Sequence, residues 1–354
     1  VTFDFGDGTS PATATLAGGT ATVTRPYTSR TPSPYTVTAT YSGDTDFTGS
    51  NGTRPHTVGR ALTTTTVLSS PDPSVPGQPV TFTATVAPAA PGAGTPTGTV
   101  TFTFGDGTSP ATATLAGGTA TVTRPYTSRT ASPYTVTATY EGSTAFTGSS
   151  GTDTHTVGRA PTTTTVATAP SASVVGQPVT FTATVAPGAP AAGTPTGTVT
   201  FTFGDGTSPA TATLAGGTAT VTRPYTSRTP SPYTVTATYS GDTDFTGSNG
   251  TRPHTVGRAL TTTTVLSSPD PSAPGQPVTF TATVAPAAPG AGTPTGTVTF
   301  TIGHHSPVSS PLVNGRATLV SSPLSVGTHP VVAAYPGSAG FAGSSGTDTH
   351  TVRP

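Results

Sequence analysis

The sequence predicts an all-β chain built as a string of small β-sandwiches, and three observations carry that prediction. A unit of 99 residues recurs along the 354-residue chain. Inside each unit, apolar residues alternate with threonine at period two, the pattern of a half-buried antiparallel strand. Glycine, proline and aspartate interrupt that alternation about every ten residues, as the turns of a sandwich require.

The repeat is read directly. TTTTV begins at 63, 162 and 261, GQPVTFTATVAP at 77, 176 and 275, and GTPTGTVTF at 94, 193 and 292. A period of 99 residues is too long for a solenoid repeat and suits one autonomous small domain. The predicted domains are 63–157, 162–256 and 261–352, joined by VGRALT or VGRAPT. Residues 1–58 precede them and contain no counterpart of TTTTV or GQPVTFTATV, so the chain reads as starting part-way through its own repeat, with any signal peptide or anchor outside it. This segment is expected to be poorly ordered or to recruit a strand from a neighbour. A second period is present as well: residues 1–62 recur at 199–260 with a single change, Asp4 to Thr202.

The elements of the copy at 63–157 follow in order. Strands are predicted at 63–69, 78–87, 97–104, 110–115, 119–124, 133–140 and 152–157. Val80, Phe82, Ala84 and Val86 alternate with Thr81, Thr83 and Thr85, and Val100, Phe102 and Phe104 with Thr99, Thr101 and Thr103. Leu115, Val122, Phe146 and Val157 complete the expected core. At ~1.5–3 kcal/mol per buried large apolar side chain, such a set offsets much of the ordering entropy of one domain without a staple. Between the strands lie Pro71-Asp72-Pro73, the low-complexity stretch 87–98, Gly105-Asp106-Gly107, Ala116-Gly117-Gly118 and Tyr140-Glu141-Gly142. Composition alone, with 7% charged residues, 43 glycines and 39 prolines, suggests a disordered or mucin-like tract, but such tracts do not keep a strict alternation.

TTTTV, the GQPVTFTATV and PTGTVTF pair, GGTATV and the stretch Tyr41 to Phe47 resemble the bacterial immunoglobulin-like repeats found in tandem on secreted and surface proteins. FDFGDG, with Arg25-Pro26-Tyr27 and Tyr35-Thr36-Val37-Thr38, is similar to the PKD-type sandwich. The last copy departs from that second pattern, replacing FGDG by Ile302-Gly303-His304-His305. The resemblance implies tandem immunoglobulin-like β-sandwiches in an extended, monomeric rod. End-to-end placement would give roughly 130–160 Å, from strands rising ~3.3 Å per residue. It also implies an extracellular or cell-surface location and the work of a stalk presenting an adhesive or catalytic region elsewhere. Its rivals are an adhesion module that itself binds glycan or protein, and an accessory region of an extracellular hydrolase.

Candidate sites are few. Thirteen basic and thirteen acidic residues give a net charge of zero, which offers no field for nucleic acid or an anionic membrane. No cysteine is present, and no run of residues is long and apolar enough for a helical membrane span. Gly-Asp-Gly reads as a turn. Asp7, Asp44 and Asp46 are the carboxylates best placed for a weak calcium site, dispensable because other copies carry Ser143 and Ala145, or Ser338 and Gly340, at the last two positions. His56, His155, His254 and His350 read as surface or joint residues, and His304 and His305 as opposite faces of an extended strand. No strained nucleophile elbow is present and Glu141 is the only glutamate, so neither an enzyme nor a cofactor site is expected. Tyr27, Tyr126 and Tyr225, which the inward parity of the other aromatics does not place, are the ligand candidates, with Arg25, Arg124 and Arg223 beside them; packing in the core or at its rim is the competing role.

Overall fold

The computed structural model describes residues 1–31, 33–321 and 323–354, all strand, turn and loop. It resolves into two compact units, Val1–Ala160 with Ala189–Gly193, and Pro161–Gly188 with Thr194–Pro354.

In the first unit, the copy at 63–157 is a sandwich of two sheets. One holds Thr63–Ser70, Pro79–Pro88 and Thr119–Pro125, with Pro79–Pro88 central; the other runs in the order Ser149–His155, Tyr134–Tyr140, Thr99–Thr103, Ala111–Thr114. Pairing is antiparallel throughout these ladders, with Phe82 opposite Val122 and Ala138 opposite Phe102. The alternation explains the core. Val80, Phe82, Ala84, Val100, Phe102, Val136 and Ala138 are fully buried, and the threonines between them face outward. Leu115, Phe146 and Val157 join them, whereas Val122 is only partly covered. The last strand starts at Ser149 rather than 152, because Ser149 to His155 keep register with all of Tyr134–Tyr140. Val157 then pairs in parallel with Ser74, so the turn between the first two strands clamps the end of the copy.

The second unit repeats this plan twice. Thr162–Ala169, Pro178–Pro187 and Thr218–Pro224 face a five-stranded sheet that includes Thr246–Gly257 and Tyr233–Gly241. Thr261–Ser268, Val278–Pro286 and Arg316–Ser321 face a sheet of four, Val308–Pro311, Thr297–Ile302, Gly327–Tyr335 and Ser344–Val352. His304 lies in the turn after Thr297–Ile302 and His305 in the bend that follows, not on opposite faces of a strand, because Gly303 takes a positive φ and ends the extension.

Residues 1–58 differ. They form one four-stranded sheet, in the order Ala12–Thr13, Thr2–Asp4, Tyr35–Gly43, Thr48–His56, with no second sheet over it. The expectation of poor order is not what is found, since Tyr35–Gly43 and Thr48–His56 form a hairpin paired from Tyr35–His56 to Gly43–Thr48, and Thr2–Asp4 pairs beside it. The hairpin ladder is formed within the segment; what is missing is cover. Residues 20–26, the counterpart of Thr218–Pro224, form no ladder.

Candidate functional site

The Gly-Asp-Gly stretch is a turn with a brace. Gly105 has φ 72°, and a Cβ there would lie 2.7 Å from the Thr135 carbonyl oxygen, so the turn accepts only glycine at that point. Asp106 Oδ1 accepts the backbone N–H of Thr108 at 3.1 Å and its hydroxyl at 2.6 Å. Asp106 Oδ2 meets Arg124 Nη2 at 2.5 Å, and Arg124 also donates to the Thr108 hydroxyl. The same guanidinium sits 4.4 Å from the centre of the Phe104 ring. Partial burial works to raise the Asp106 carboxyl, but the bonds from Thr108 and Arg124 outweigh it and hold it below the ordinary carboxylate range. Asp7 with Arg25, and Asp205 with Arg223, repeat the pair at 2.7 and 2.6 Å.

Behind each brace runs a stack of rings. Tyr126 lies 4.3 Å from Tyr134 and 5.0 Å from His155, nearly parallel to both, with Phe82 edge-on. Its hydroxyl donates to the Phe104 carbonyl at 2.9 Å. Tyr126 is 1% and Tyr225 0% exposed. Neither ring offers a face to a ligand, which corrects their standing as ligand candidates. Their parity is that of Val122 and Arg124, or Val221 and Arg223, carried on past the proline. Burial raises both phenols, Tyr225 to about 12. Tyr27 is half-buried on its open sheet, stacked 4.7 Å from Tyr35 and 4.9 Å from His56. Arg25, Arg124 and Arg223 are held by their aspartates and rings, not presented outward.

Of the four histidines expected at the surface or a joint, His56 is exposed and the other three are not. His155, His254 and His350 are completely buried, and each Nε2 lies 2.8–2.9 Å from a serine hydroxyl, Ser74, Ser173 or Ser272. The parity that buries Val157 buries His155 two residues before it. Desolvation holds His155 and His254 below the usual histidine value, against Asp72 and Asp153 in the first case and together with Arg252 in the second. Asp72, His155 and Ser74 stand in the order of a hydrolytic triad, with Nδ1 3.6 Å from the carboxylate. Ser74 is 2% exposed and bridged to Val157, so its hydroxyl has no approach for a substrate. Ser171 occupies the place of Asp72 in the next copy.

The calcium candidates are engaged otherwise. Asp44 Oδ1 accepts the N–H groups of Asp46 and Phe47 at 2.9 Å, and Oδ2 accepts the Tyr41 hydroxyl at 2.6 Å, while Asp7 faces Thr9 and Arg25. The structure does not bring Asp7, Asp44 and Asp46 together as one set. Among the described residues no three His, Asp or Glu side chains gather as metal ligands.

A family model described as bacterial Ig-like domain (group 3) matches residues 65–158, 164–257 and 263–353. The chain belongs to this bacterial Ig-like family. Each matched Ig-like module has its own two-sheet core, so the family assignment and the strand pairing agree. Among curated proteins no sequence matches. Solved structures similar to the chain include the titin I-band fragment I67–I69, with 12% identity and a TM-score of 0.32, over 81% of this chain and 99% of that one. The Escherichia coli adhesin FdeC has 15% identity and a TM-score of 0.25, over 82% and 97%. Three N-terminal domains of the bacteriophage RB49 outer capsid protein Hoc have 15% identity and a TM-score of 0.24, over 82% and 99%. At such scores these likenesses add nothing to the functional argument.

Proposed function

We propose that the chain is a non-enzymatic spacer of a secreted or cell-surface bacterial protein, in which each Ig-like module adds length. The observation that carries this reading is how little chain is free at the joints within each unit. Gly257 is still paired with Val174 at the end of its strand, and Ala259 already bridges Phe341, donating to the Gly340 carbonyl at 2.9 Å and accepting from the Ala342 N–H at 2.8 Å. Only Arg258 lies between them. In the first unit Ala61 bridges Phe146 in the same way. A joint of one residue in the second unit, and of the four residues 57–60 in the first, resists folding back, as a spacer needs. The module surfaces suit the role too. The aromatic side chains of the complete modules are turned into their cores, and threonine-rich faces, interrupted by exposed apolar residues such as Leu68, Leu266 and Val320, remain outside.

In-frame removal of residues 162–260, one repeat, tests the reading by small-angle scattering. A spacer loses one module length, about 35–45 Å, from its maximum dimension. An unchanged maximum dimension, or glycan or cell binding by the intact chain that disappears with the deletion, contradicts it.

A further inference from the structure

The low-complexity stretch at 87–98 returns in the last copy as residues 285–296, APAAPGAGTPTG, and its small residues and prolines suit a loop that lies close against another backbone. In the second unit it does so. The Ala287 N–H donates to the Leu260 carbonyl at 2.8 Å and the Gly290 N–H to the Ala287 carbonyl at 3.0 Å, which ties the start of the loop to the joint. The loop then returns over the ring of Phe341, 3.3 Å from the position of a Cβ on Gly292. Its middle, at Ala291, is left facing the module before it.

That module, 162–256, presents a turn to it. Ala172–Val174 pair in parallel with Thr255–Gly257, the Ser173 hydroxyl lies 2.9 Å from His254 Nε2, and the Gln177 side-chain oxygen accepts the Val174 N–H at 3.1 Å. The turn is thus fixed in its own module before it reaches Val175 and Gly176. The Val175 N–H donates to the Gly257 carbonyl, and the Val175 carbonyl accepts the Ala291 N–H, both at 3.1 Å. Its side chain lies against Gly340, with Cγ2 3.4 Å from the position of a Cβ there. Val175 is only 3% exposed although it stands in a turn at the end of its module, and residues 291 and 340, which meet it, both belong to the next one. Gly176 takes φ 80°, and the Ala291 carbonyl oxygen fills the space that a Cβ would need.

We infer that the turn at 172–176 and the loop at 287–292 form a lock that couples the two modules of the second unit, so that each opens less often because the other is folded. Both halves are set by bonds to their own surroundings, so little ordering entropy opposes their docking. Opening of either module strips the same contacts. The Val175 side chain returns to water, and its carbonyl and the Ala291 N–H lose each other. One set of contacts stabilises both modules, and the coupling is therefore reciprocal. The bridge from Ala259 to Phe341 does not supply it, because Ala259 lies on the connector and stays with the following module when 162–256 opens. This inference concerns the energetics of neighbouring modules and holds whether or not the chain is a spacer.

The chain contains no cysteine, so Val179→Cys or Val278→Cys in the full chain gives a single thiol, at a fully buried position of one module or the other, whose labelling reports the opening of that module. The lock is broken from either side. Ala291→Pro removes the donor N–H, and Val175→Asp sets a carboxylate against Gly340. Each is expected to speed labelling across the joint at least tenfold, Ala291→Pro at position 179 and Val175→Asp at position 278. A thiol from Val80→Cys, in the first unit, should keep its rate in both. Acceleration confined to the module that carries the substitution overturns the inference, by showing a local defect, and so does equal acceleration at position 80, by showing a general one. Should Ala291→Pro unfold its own module, Val175→Asp decides, since it leaves the sequence of 261–352 unaltered: an unchanged rate at position 278 then refutes the lock.

Discussion

Residues 1–58 and 199–256 are the same stretch of sequence except at one position, and the molecule shows it with and without a covering sheet. The hairpin ladder is alike in both, and so is the brace, Asp7 to Arg25 at 2.7 Å and Asp205 to Arg223 at 2.6 Å, while residues 20–26 lack the ladder that Thr218–Pro224 forms. The core is not. Phe245 is buried where Phe47 is exposed, and His254 is enclosed where His56 faces outward. Even a turn changes its bonds: Asp242 accepts from the Thr196 backbone and hydroxyl at 2.8 Å, whereas Asp44 takes the Tyr41 hydroxyl instead. The hairpin and the salt bridge here are local properties of the sequence, whereas burial, and the pairing of Thr218–Pro224, are properties of the module.

The largest break in this symmetry should come from the phenylalanines. Phe245→Ala removes a buried ring and is expected to cost its module about 3–5 kcal/mol, while Phe47→Ala removes an exposed one and changes stability by at most ~0.5 kcal/mol. Thermal or denaturant unfolding of the two variants measures the difference; equal losses would mean that residues 1–58 are covered after all. A smaller contrast follows from the glycines. Gly250→Ala drives a methyl group into the Thr164 carbonyl and should cost about 1–3 kcal/mol, whereas Gly52→Ala has open space and should be nearly neutral.

The smallest contrast is in pH. Burial keeps His254 from taking a proton that the unfolded chain accepts near pH ~6.5. Its folded value is the depressed one, so the stability linked to it is complete above that pH and is lost as pH falls below it. Melts of the full chain from about pH 8 to pH 5 should show the second unit losing stability on acidification, and His254→Gln should flatten that slope. A slope unaffected by the substitution would assign the acid sensitivity elsewhere.

Much of this was legible in the sequence because period two is a direct record of which face is buried. The strands around Phe82, Phe102 and Val136 follow from it without further information. Tyr126 and His155 were equally legible in principle, since each continues the parity of an inward valine, Val122 before one and Val157 after the other. Pro125 between Arg124 and Tyr126 hid the first, and the polarity of histidine hid the second. Ser74 was not legible at all. It lies in an irregular Pro-Asp-Pro turn whose contact with the last strand is set by the packing of the whole module, 81 residues away from His155. The Asp106 to Arg124 brace spans 18 residues and two elements, and nothing in the local pattern pairs them.

The most direct test of the central claim, that cover by the front-half strands and not sequence makes these modules self-sufficient, is hydrogen exchange on the full chain. The fragment YTVTATYSGDTDF occurs at 35–47 and again at 233–245, so both copies give one peptide mass and share intrinsic exchange rates. The account predicts an isotope envelope that splits into two equal populations, one exchanging fast from the open sheet and one slowly from the covered module. A single slow envelope would contradict it.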